Sequence, residues 1–181
     1  IEEVWHCWTT SEGIASFFSP ESNINLEING PYELFMRMSE PDKQGNRGSE
    51  GCKVLSYIPH EMLAFEWNFP PAVEQLRYSG AKTQVVLQFK PQDDGRMRVR
   101  FAQLGWQEGE DWDKGYAYFD QAWDKVMERF AARMAKQVEV TKQAAAPRSE
   151  RWQDGHVTIT STEAPNKRQD FELIFPAPVE K

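Results

Sequence analysis

The chain has 181 residues, of which 21 are Lys or Arg and 28 are Asp or Glu, and its formal net charge is −7. This acidic balance argues against a nucleic-acid partner, because binding to phosphates needs a basic stripe. No apolar run approaches the roughly 20 residues of a membrane-spanning helix, and two cysteines are too few for a disulfide scaffold. The length predicts one domain, and the aromatic content of 13% fits a large apolar interior.

Two short helices are predicted at the start of the chain. Apolar residues at helical spacing indicate the first of them: Ile1, Val4, Trp5 and Trp8. The run Thr10-Ser11-Glu12 then supplies an N-cap for a second helix that reaches Phe18.

A meander of about six strands follows the helices. Alternation of apolar and polar residues places these strands at residues 24–28, 32–38, 52–58, 63–69, 83–90 and 97–101. Residues 41–51, rich in glycine, asparagine and charge, are predicted as a loop. Residues 70–80 are predicted as a second long connection.

One long amphipathic helix is predicted from Asp113 to about Gln137. Its apolar stripe consists of Tyr116, Phe119, Trp123, Val126, Met127, Phe130 and Met134. Residues 138–150 are predicted as a linker. Residues 156–160 alternate like an edge strand and are expected to pair with residues 171–175. Strands grouped with one long helix predict the α+β class, with the helix across one face of an antiparallel sheet.

The order of the elements predicts a circular permutation. Pro178 suits a first helical position, and the apolar spacing after it continues from Val179 into Ile1 and Val4. We therefore expect the strand at residues 168–178 to be the first strand of the fold, written last, so that residues 1–181 form a single domain. The alternative is an ordinary order with an independent C-terminal strand.

Short motifs along the chain resemble one family, the homologues of the activator of heat-shock-protein-90 ATPase, in the SRPBCC (START-like, helix-grip) superfamily. The resemblance covers residues 1–135 and roughly 168–181, and in that family the segment equivalent to the latter precedes the one equivalent to Ile1. The motifs that carry it are Val4-Trp5, Trp8-Thr9-Thr10, Glu12-Gly13, Gly30-Pro31-Tyr32-Glu33, Gly51-Cys52-Lys53-Val54-Leu55, Pro59-His60-Glu61-Met62-Leu63, Phe65-Glu66-Trp67, Leu104-Gly105-Trp106, Gly109-Glu110, Trp112, Tyr118-Phe119-Asp120 and Ala122-Trp123.

The resemblance implies a curved antiparallel sheet wrapped around a long C-terminal-type helix, with two short helices after the first strand and a cavity between sheet and helix. Members of the superfamily use such a cavity for lipids, hormones, polyketides and other apolar molecules. The named branch includes a co-chaperone domain. It shares no catalytic signature that transfers to residues of this chain.

The sequence offers little local evidence for catalysis or for a metal or other cofactor. His6 and Cys7 are adjacent on a helix, so their side chains point about 100° apart and cannot chelate one metal ion. No other ligand pair has zinc-like spacing, and no Gly-x-Ser-x-Gly motif indicates a nucleophile. Cys7 and Cys52 are interpreted as small buried hydrophobic residues, with one disulfide as the alternative.

Aromatic residues from the sheet and the helices are the candidate ligand-binding set. Most of them are expected to fill the core, but ligand pockets are also apolar cavities with a few polar groups. The predicted ligand-binding residues are Phe17, Phe65, Trp67, Thr83, Phe101, Trp106, Tyr116, Phe119 and Trp123.

The leading hypothesis is a non-enzymatic module that binds a small apolar or aromatic molecule. A cyclase, aromatase or hydrolase using the same cavity is the first alternative and would need a titratable group with a shifted pKa inside it. A co-chaperone-like module that binds a protein is the second alternative and would need an exposed apolar patch.

The cellular compartment is left open by the sequence. No signal-peptide pattern precedes Ile1, which favours a cytoplasmic location. The small residues of Gln143-Ala144-Ala145-Ala146-Pro147 resemble a signal cleavage site, so a periplasmic or secreted location is the alternative.

Overall fold

The architecture is known from a computed structural model that describes residues 1–37, 39–93, 96–145, 158–164 and 168–176. In this part of the chain the elements follow one another as α1 (Glu2–Thr9), α2 (Ser11–Ala15), β1 (Glu21–Ile24), β2 (Tyr32–Phe35), β3 (Val54–Ile58), β4 (Met62–Asn68), α3 (Glu74–Ser79), β5 (Lys82–Pro91), β6 (Arg96–Leu104), α4 (Glu110–Ala145), β7 (Thr158–Ala164) and β8 (Arg168–Pro176).

The main sheet is antiparallel and has the strand order β3-β4-β5-β6-β8-β7. Strands β1 and β2 form a separate hairpin, and a single bridge between Pro31 and Lys53 connects its end to the start of β3. The predicted α+β class, with an antiparallel sheet, one long helix and short N-terminal helices, is confirmed.

Strand periodicity explains why one sheet face is apolar. In β5 the side chains of Thr83, Val85, Leu87 and Phe89 are buried, whereas Gln84 is exposed. Because successive side chains of a strand point to opposite faces, this alternation gives the sheet one core face and one polar face.

Helix α4 supplies the other half of the core with the predicted apolar stripe. Its buried members belong to one contiguous cluster with α1, α2 and the sheet: Phe119, Trp123, Val126, Met127, Phe130, Ala131 and Met134. Apolar residues at spacings of three and four lie on one side of a helix, which is why this side faces the sheet.

Several predicted elements have other bounds in the structure: α2 ends at Ala15, β2 ends at Phe35 and β6 extends to Leu104. Three further differences have a clear physical reason. Strand β1 occupies Glu21–Ile24 instead of residues 24–28, because hydrogen bonds from Glu27 to Asn25 and from Gly30 to Glu27 fold those residues into turns. The predicted connection at residues 70–80 contains α3, which ends at Gly80 with φ +80°. The predicted linker at residues 138–150 is helical up to Ala145, and the rest of it lies outside the described residues.

The predicted pairing of the two C-terminal strands is confirmed. Strand β8 pairs with β7 on one side and with β6 on the other, in register from Met97 opposite Phe175 to Gln103 opposite Gln169. The segment expected to be the first strand therefore lies inside the main sheet. Residues 177–181, which would continue into Ile1 in a permuted order, lie outside the described residues, so the permutation stays a prediction.

A buried tyrosine joins the helical start of the chain to the hairpin. The Tyr32 hydroxyl donates a hydrogen bond to the Trp8 carbonyl oxygen at 2.8 Å, and its ring stacks on Phe65 with centroids 4.0 Å apart. The Trp8 carbonyl lies in the last turn of α1, where carbonyls lack partners within the helix. Burial raises the pKa of Tyr32 above its usual range, so the hydroxyl keeps its proton and acts as the donor.

We expect Tyr32→Phe to lower the free energy of unfolding by about 1–3 kcal/mol, because it removes the partner of a buried carbonyl without changing the shape of the ring. Urea denaturation measures this loss. The matched control is Tyr57→Phe, since Tyr57 is half-buried and its hydroxyl makes no hydrogen bond in the described part of the chain. That control should stay within about 0.5 kcal/mol of the unmodified protein. Equal losses in the two variants would contradict the assigned role.

Candidate functional site

A cleft of about 150 Å³ lies between α4 and the end of β4. Its apolar wall is aromatic and comes from three parts of the chain: Phe18 after α2, Trp67 and Phe69 at the end of β4, and Phe119 and Trp123 on α4. Where the helix and the strand end diverge, neighbouring side chains leave space between them. This is a common position for ligand pockets in small domains.

The aromatic rings of the wall contact one another in edge-to-face, tilted and stacked arrangements. Trp67 and Trp123 have ring centroids 5.3 Å apart, and Phe18 lies 5.7 Å from each of them. Phe69 and Phe119 are separated by 6.2 Å. Aromatic pairs at such distances attract one another beyond their buried area, so the wall is held by mutual contact as well as by the core behind it.

A buried chain of hydrogen bonds fixes the two tryptophans of the wall. The Trp123 Nε1–H donates to Gln103 Oε1 at 2.6 Å, and Gln103 Nε2 donates to Thr83 Oγ1 at 2.7 Å. The Thr83 hydroxyl then donates to the Trp67 carbonyl oxygen at 3.1 Å. Thr83 and Gln103 have no exposed surface, so the chain crosses the core from α4 through β6 and β5 to β4.

The base of α4 approaches the sheet very closely at Gly115. A Cβ atom built on this glycine would lie 2.7 Å from the nearest atom of the Phe69 ring, which is fully buried. Glycine weakens a helix interior by about 1 kcal/mol relative to alanine. Here it permits the close approach that places Phe69 against α4.

The rim of the cleft is positioned by a buried ion pair. Arg77 of α3 lies 3.0 Å from Asp42, and their side chains are only 4% and 1% exposed. The same guanidinium donates to the carbonyl oxygens of Gly48 and Phe69 at 2.7 and 3.0 Å. Arg77 therefore joins α3, the loop at residues 41–51 and the end of β4 at one point.

Hydrogen bonds hold Asp42 in its charged form. Burial raises the pKa of this carboxyl. The backbone amides of Asn46 and Gln44 and the Arg77 guanidinium lower the pKa, and together they outweigh the effect of burial, so the pKa lies below its usual range. Both amides donate to the same carboxylate oxygen at 2.9 Å. The loop is thus organised around a charge that Arg77 balances.

Two further arginines reach the rim, and each of them has a carboxylate partner. Arg37 lies 3.7 Å from Glu40, and Arg47 lies 3.4 Å from Glu21 with its guanidinium over the ring of Phe35. Two exposed apolar side chains, Met36 and Tyr118, flank the opening. The opening therefore combines apolar edges with cations that are already paired.

The structure brings three of the nine predicted ligand-binding residues together at this cleft: Trp67, Phe119 and Trp123. Phe17, Phe65 and Phe101 are buried in the core and do not line it. Thr83 stands behind the wall, bonded to Gln103. Trp106 and Tyr116 contact each other at 5.2 Å in a neighbouring aromatic cluster.

Several residues of the cleft, among them Phe69 and three arginines, are not among the nine predicted ones. Phe69 had a detectable signal, because it continues the alternation of Phe65 and Trp67 along β4. No local sequence pattern points to the three arginines, because Arg37 and Arg47 lie in loops and Arg77 lies in a short helix, and the fold alone brings them to the cleft.

The two cysteines are not activated as nucleophiles, and the described residues contain no metal-binding cluster. Cys7 and Cys52 are free and buried, and burial raises the pKa of Cys7 to about 11 and that of Cys52 to about 12. Both thiols are therefore protonated at neutral pH, and the thiolate is the nucleophilic form. Among the described residues, no group of three or more His, Cys, Asp or Glu side chains could hold a metal ion.

An antiparallel sheet with a long helix against one face and short helices at its start is consistent with the START-like helix-grip fold. The chain belongs to the family described as "Activator of Hsp90 ATPase homolog 1-like protein", which matches residues 1–135 and is part of the SRPBCC superfamily. The family predicted from the sequence is thus confirmed. Comparisons with curated proteins and with solved structures gave no match.

Family membership indicates a ligand-binding or co-chaperone-like domain. Within the residues that the structure describes, no helix is both long enough and apolar enough to span a membrane.

We expect Gln103→Met to lower the free energy of unfolding by about 2–4 kcal/mol, because it leaves the Trp123 indole N–H without a buried acceptor and removes the hydrogen bond that the Thr83 hydroxyl oxygen accepts. Urea denaturation gives the loss, and the indole ¹H–¹⁵N signal of Trp123 reports the broken hydrogen bond. The control is Gln84→Met on the exposed face of β5, which should change stability by less than about 0.5 kcal/mol. An unshifted Trp123 signal would disprove the hydrogen-bond chain.

We expect Arg77→Met to lower the free energy of unfolding by about 3 kcal/mol at pH 7, because it leaves the buried Asp42 carboxylate without its cation. This loss is near the lower end of the range for a broken buried ion pair, since Asp42 keeps its two backbone amide donors. The loss should shrink as the pH falls through about 4, where an unfolded aspartate is protonated. The folded pKa of Asp42 is depressed, so the stabilisation that it gives the unmodified protein is present at neutral pH and is lost in acid.

Denaturation of both proteins between pH 7 and pH 3 tests this expectation. The double variant Asp42→Asn/Arg77→Met should be more stable at pH 7 than Arg77→Met alone, because no buried charge is left unpaired. A loss that does not change with pH would contradict the assigned pair.

Proposed function

We propose that the protein binds a small apolar molecule, with a group about the size of one aromatic ring in the cleft between β4 and α4. The observation that carries this proposal is the aromatic cavity of about 150 Å³ walled by Trp67, Phe69, Phe119 and Trp123. Apolar cavities of roughly this size bind benzene. The favourable free energy of binding comes from the transfer of apolar surface from water into the cleft, at about 25 cal/mol per Å² of buried surface.

The chemistry of the wall supports an apolar ligand over a polar one. The Trp123 indole N–H is already bonded to Gln103, and the Asn68 side-chain amide donates to the Gly48 carbonyl at 3.3 Å. Arg77 is likewise committed to Asp42 and to two carbonyls. The cleft therefore offers few unengaged polar groups to a ligand, and burial of apolar area is the main source of affinity.

The same lining favours binding over catalysis. In the part of the chain that the structure describes, its titratable side chains are Tyr118 and three arginines, without a carboxylate, imidazole or thiol. General acid–base catalysis at neutral pH relies mostly on those missing groups. A co-chaperone-like role has weaker support, because the outer face of β5 and β6 carries Gln84, Arg98 and Arg100 instead of an apolar patch.

We expect Ala122→Phe to weaken the binding of fluorobenzene by at least about tenfold, because Ala122 lines the cleft and a benzyl group there occupies the ligand's space. Titration followed by ¹⁹F NMR measures the dissociation constant. Tryptophan signals provide a second readout, since Trp67 and Trp123 form the wall.

The matched control is Ala135→Phe, which adds the same group at an exposed position of the same helix. It should leave the dissociation constant unchanged within about twofold. Binding that is equally strong in both variants, or no binding by the unmodified protein, would overturn the proposal.

A further inference from the structure

Helix α4 separates its charges onto two sides. Asp120, Asp124 and Glu128 follow one another at intervals of four residues on one side of the apolar stripe, and Lys125 and Arg129 do so on the other. The pKa of Asp124 is raised mainly by partial burial and also by repulsion from Asp120 and Glu128. The acidic side is thus a continuous negative strip, and the basic side lies away from it.

The basic side borders the cleft. A surface groove of about 400 Å³ runs along α4 and is lined by Ala117, Gln121, Lys125, Arg129, Tyr118, Ala122 and Val126. The last three residues also line the cleft. Groove and cleft are therefore continuous, with an apolar floor leading from the aromatic wall to two cations.

These two cations differ from the arginines at the rim. Arg37, Arg47 and Arg77 each have a carboxylate within 4 Å. Lys125 and Arg129 are exposed and make no ion pair with any carboxylate in the described part of the chain. Among the described residues, the charged side chains that line the cleft and the groove are basic, although the chain as a whole has 28 acidic and 21 basic residues.

Lys125 and Arg129 repel each other where they stand. Like charges at positions i and i+4 of a helix are mildly destabilising, and an oxyanion between the two side chains removes that repulsion. Charge-assisted hydrogen bonds from an ammonium and a guanidinium to such an oxyanion are stronger than neutral ones. The exposed position allows both side chains to turn toward a ligand.

We propose that the ligand of the cleft is an amphipathic oxyanion, whose apolar end enters the aromatic cleft and whose anionic group is held by Lys125 and Arg129. This inference rests on the proposed function, because it needs the apolar end of the ligand in the cleft. It adds the chemical class of the ligand and its direction along α4. A carboxylate joined to a ring by a short alkyl chain has the required chemistry.

Matched ligands test the inference: 6-phenylhexanoate, and 6-phenylhexan-1-ol as its neutral counterpart. We expect the unmodified protein to bind the carboxylate more tightly than the alcohol. Lys125→Gln/Arg129→Gln should weaken carboxylate binding about fivefold and leave alcohol binding within about twofold. NMR titration of the tryptophan indole signals measures both dissociation constants. The carboxylate preference should also shrink at high salt, since exposed charges are screened.

Lys53→Gln/Lys90→Gln is the control, because both lysines are exposed, line neither the cleft nor the groove, and give the same change in net charge. It should leave the carboxylate preference unchanged. An equal loss in this control would overturn the inference, because overall charge would then account for the preference.

The outcomes separate the inference from the proposed function. If Lys125→Gln/Arg129→Gln changes nothing while Ala122→Phe abolishes binding of the alcohol, the cleft binds a ligand and the oxyanion site is wrong. If the unmodified protein binds neither ligand, or if Ala122→Phe has no effect on either, the proposed function fails and the inference fails with it.

Discussion

The hydrogen-bond chain from Trp123 through Gln103 and Thr83 to the Trp67 carbonyl is the constraint on which the site depends. It connects the long helix to three strands of the sheet through groups that have no access to water. Apolar contacts alone tolerate small shifts of a helix on a sheet, whereas a buried donor and acceptor must meet at one distance and angle. The chain therefore fixes where α4 lies, and with it the separation between the two tryptophans of the cleft.

The loop side of the cleft depends on a second kind of interaction. Arg77 balances the buried Asp42 and caps the carbonyls of Gly48 and Phe69, so residues far apart in sequence meet at a single guanidinium. A planar group with several donors in fixed directions is suited to this task, and a lysine at the same position could not reproduce it. The cleft thus has one wall set by an uncharged network in the core and an opposite rim set by a charge pair. Acid weakens only the charge pair, because Asp42 loses its charge when it is protonated.

A residue's place in the structure could be predicted from the sequence only where the residue belongs to a helix or strand with a regular apolar repeat. Helix α4 and strand β5 were predicted because each carries a long apolar repeat, and Trp67, Phe119 and Trp123 could be placed near one another for that reason. Helix α3 was missed because its six residues bury only Leu76, which is too little to show a helical period. The groups that shape the rim, Arg77 above all, act through long-range contacts that no local pattern records. For the same reason Thr83 was selected as a ligand contact, although its hydroxyl serves the core.

Gly115 has a consequence for the size of the cleft. It lies against the Phe69 ring, which lines the cleft, but Gly115 is not among the lining residues. Any larger side chain at this position has to lift the start of α4 or turn the Phe69 ring, and either movement alters the space beside Trp123. The volume of the cleft therefore depends partly on the absence of a side chain at a position that does not line it. Relatives whose clefts differ in size need not differ at any residue that lines the cleft.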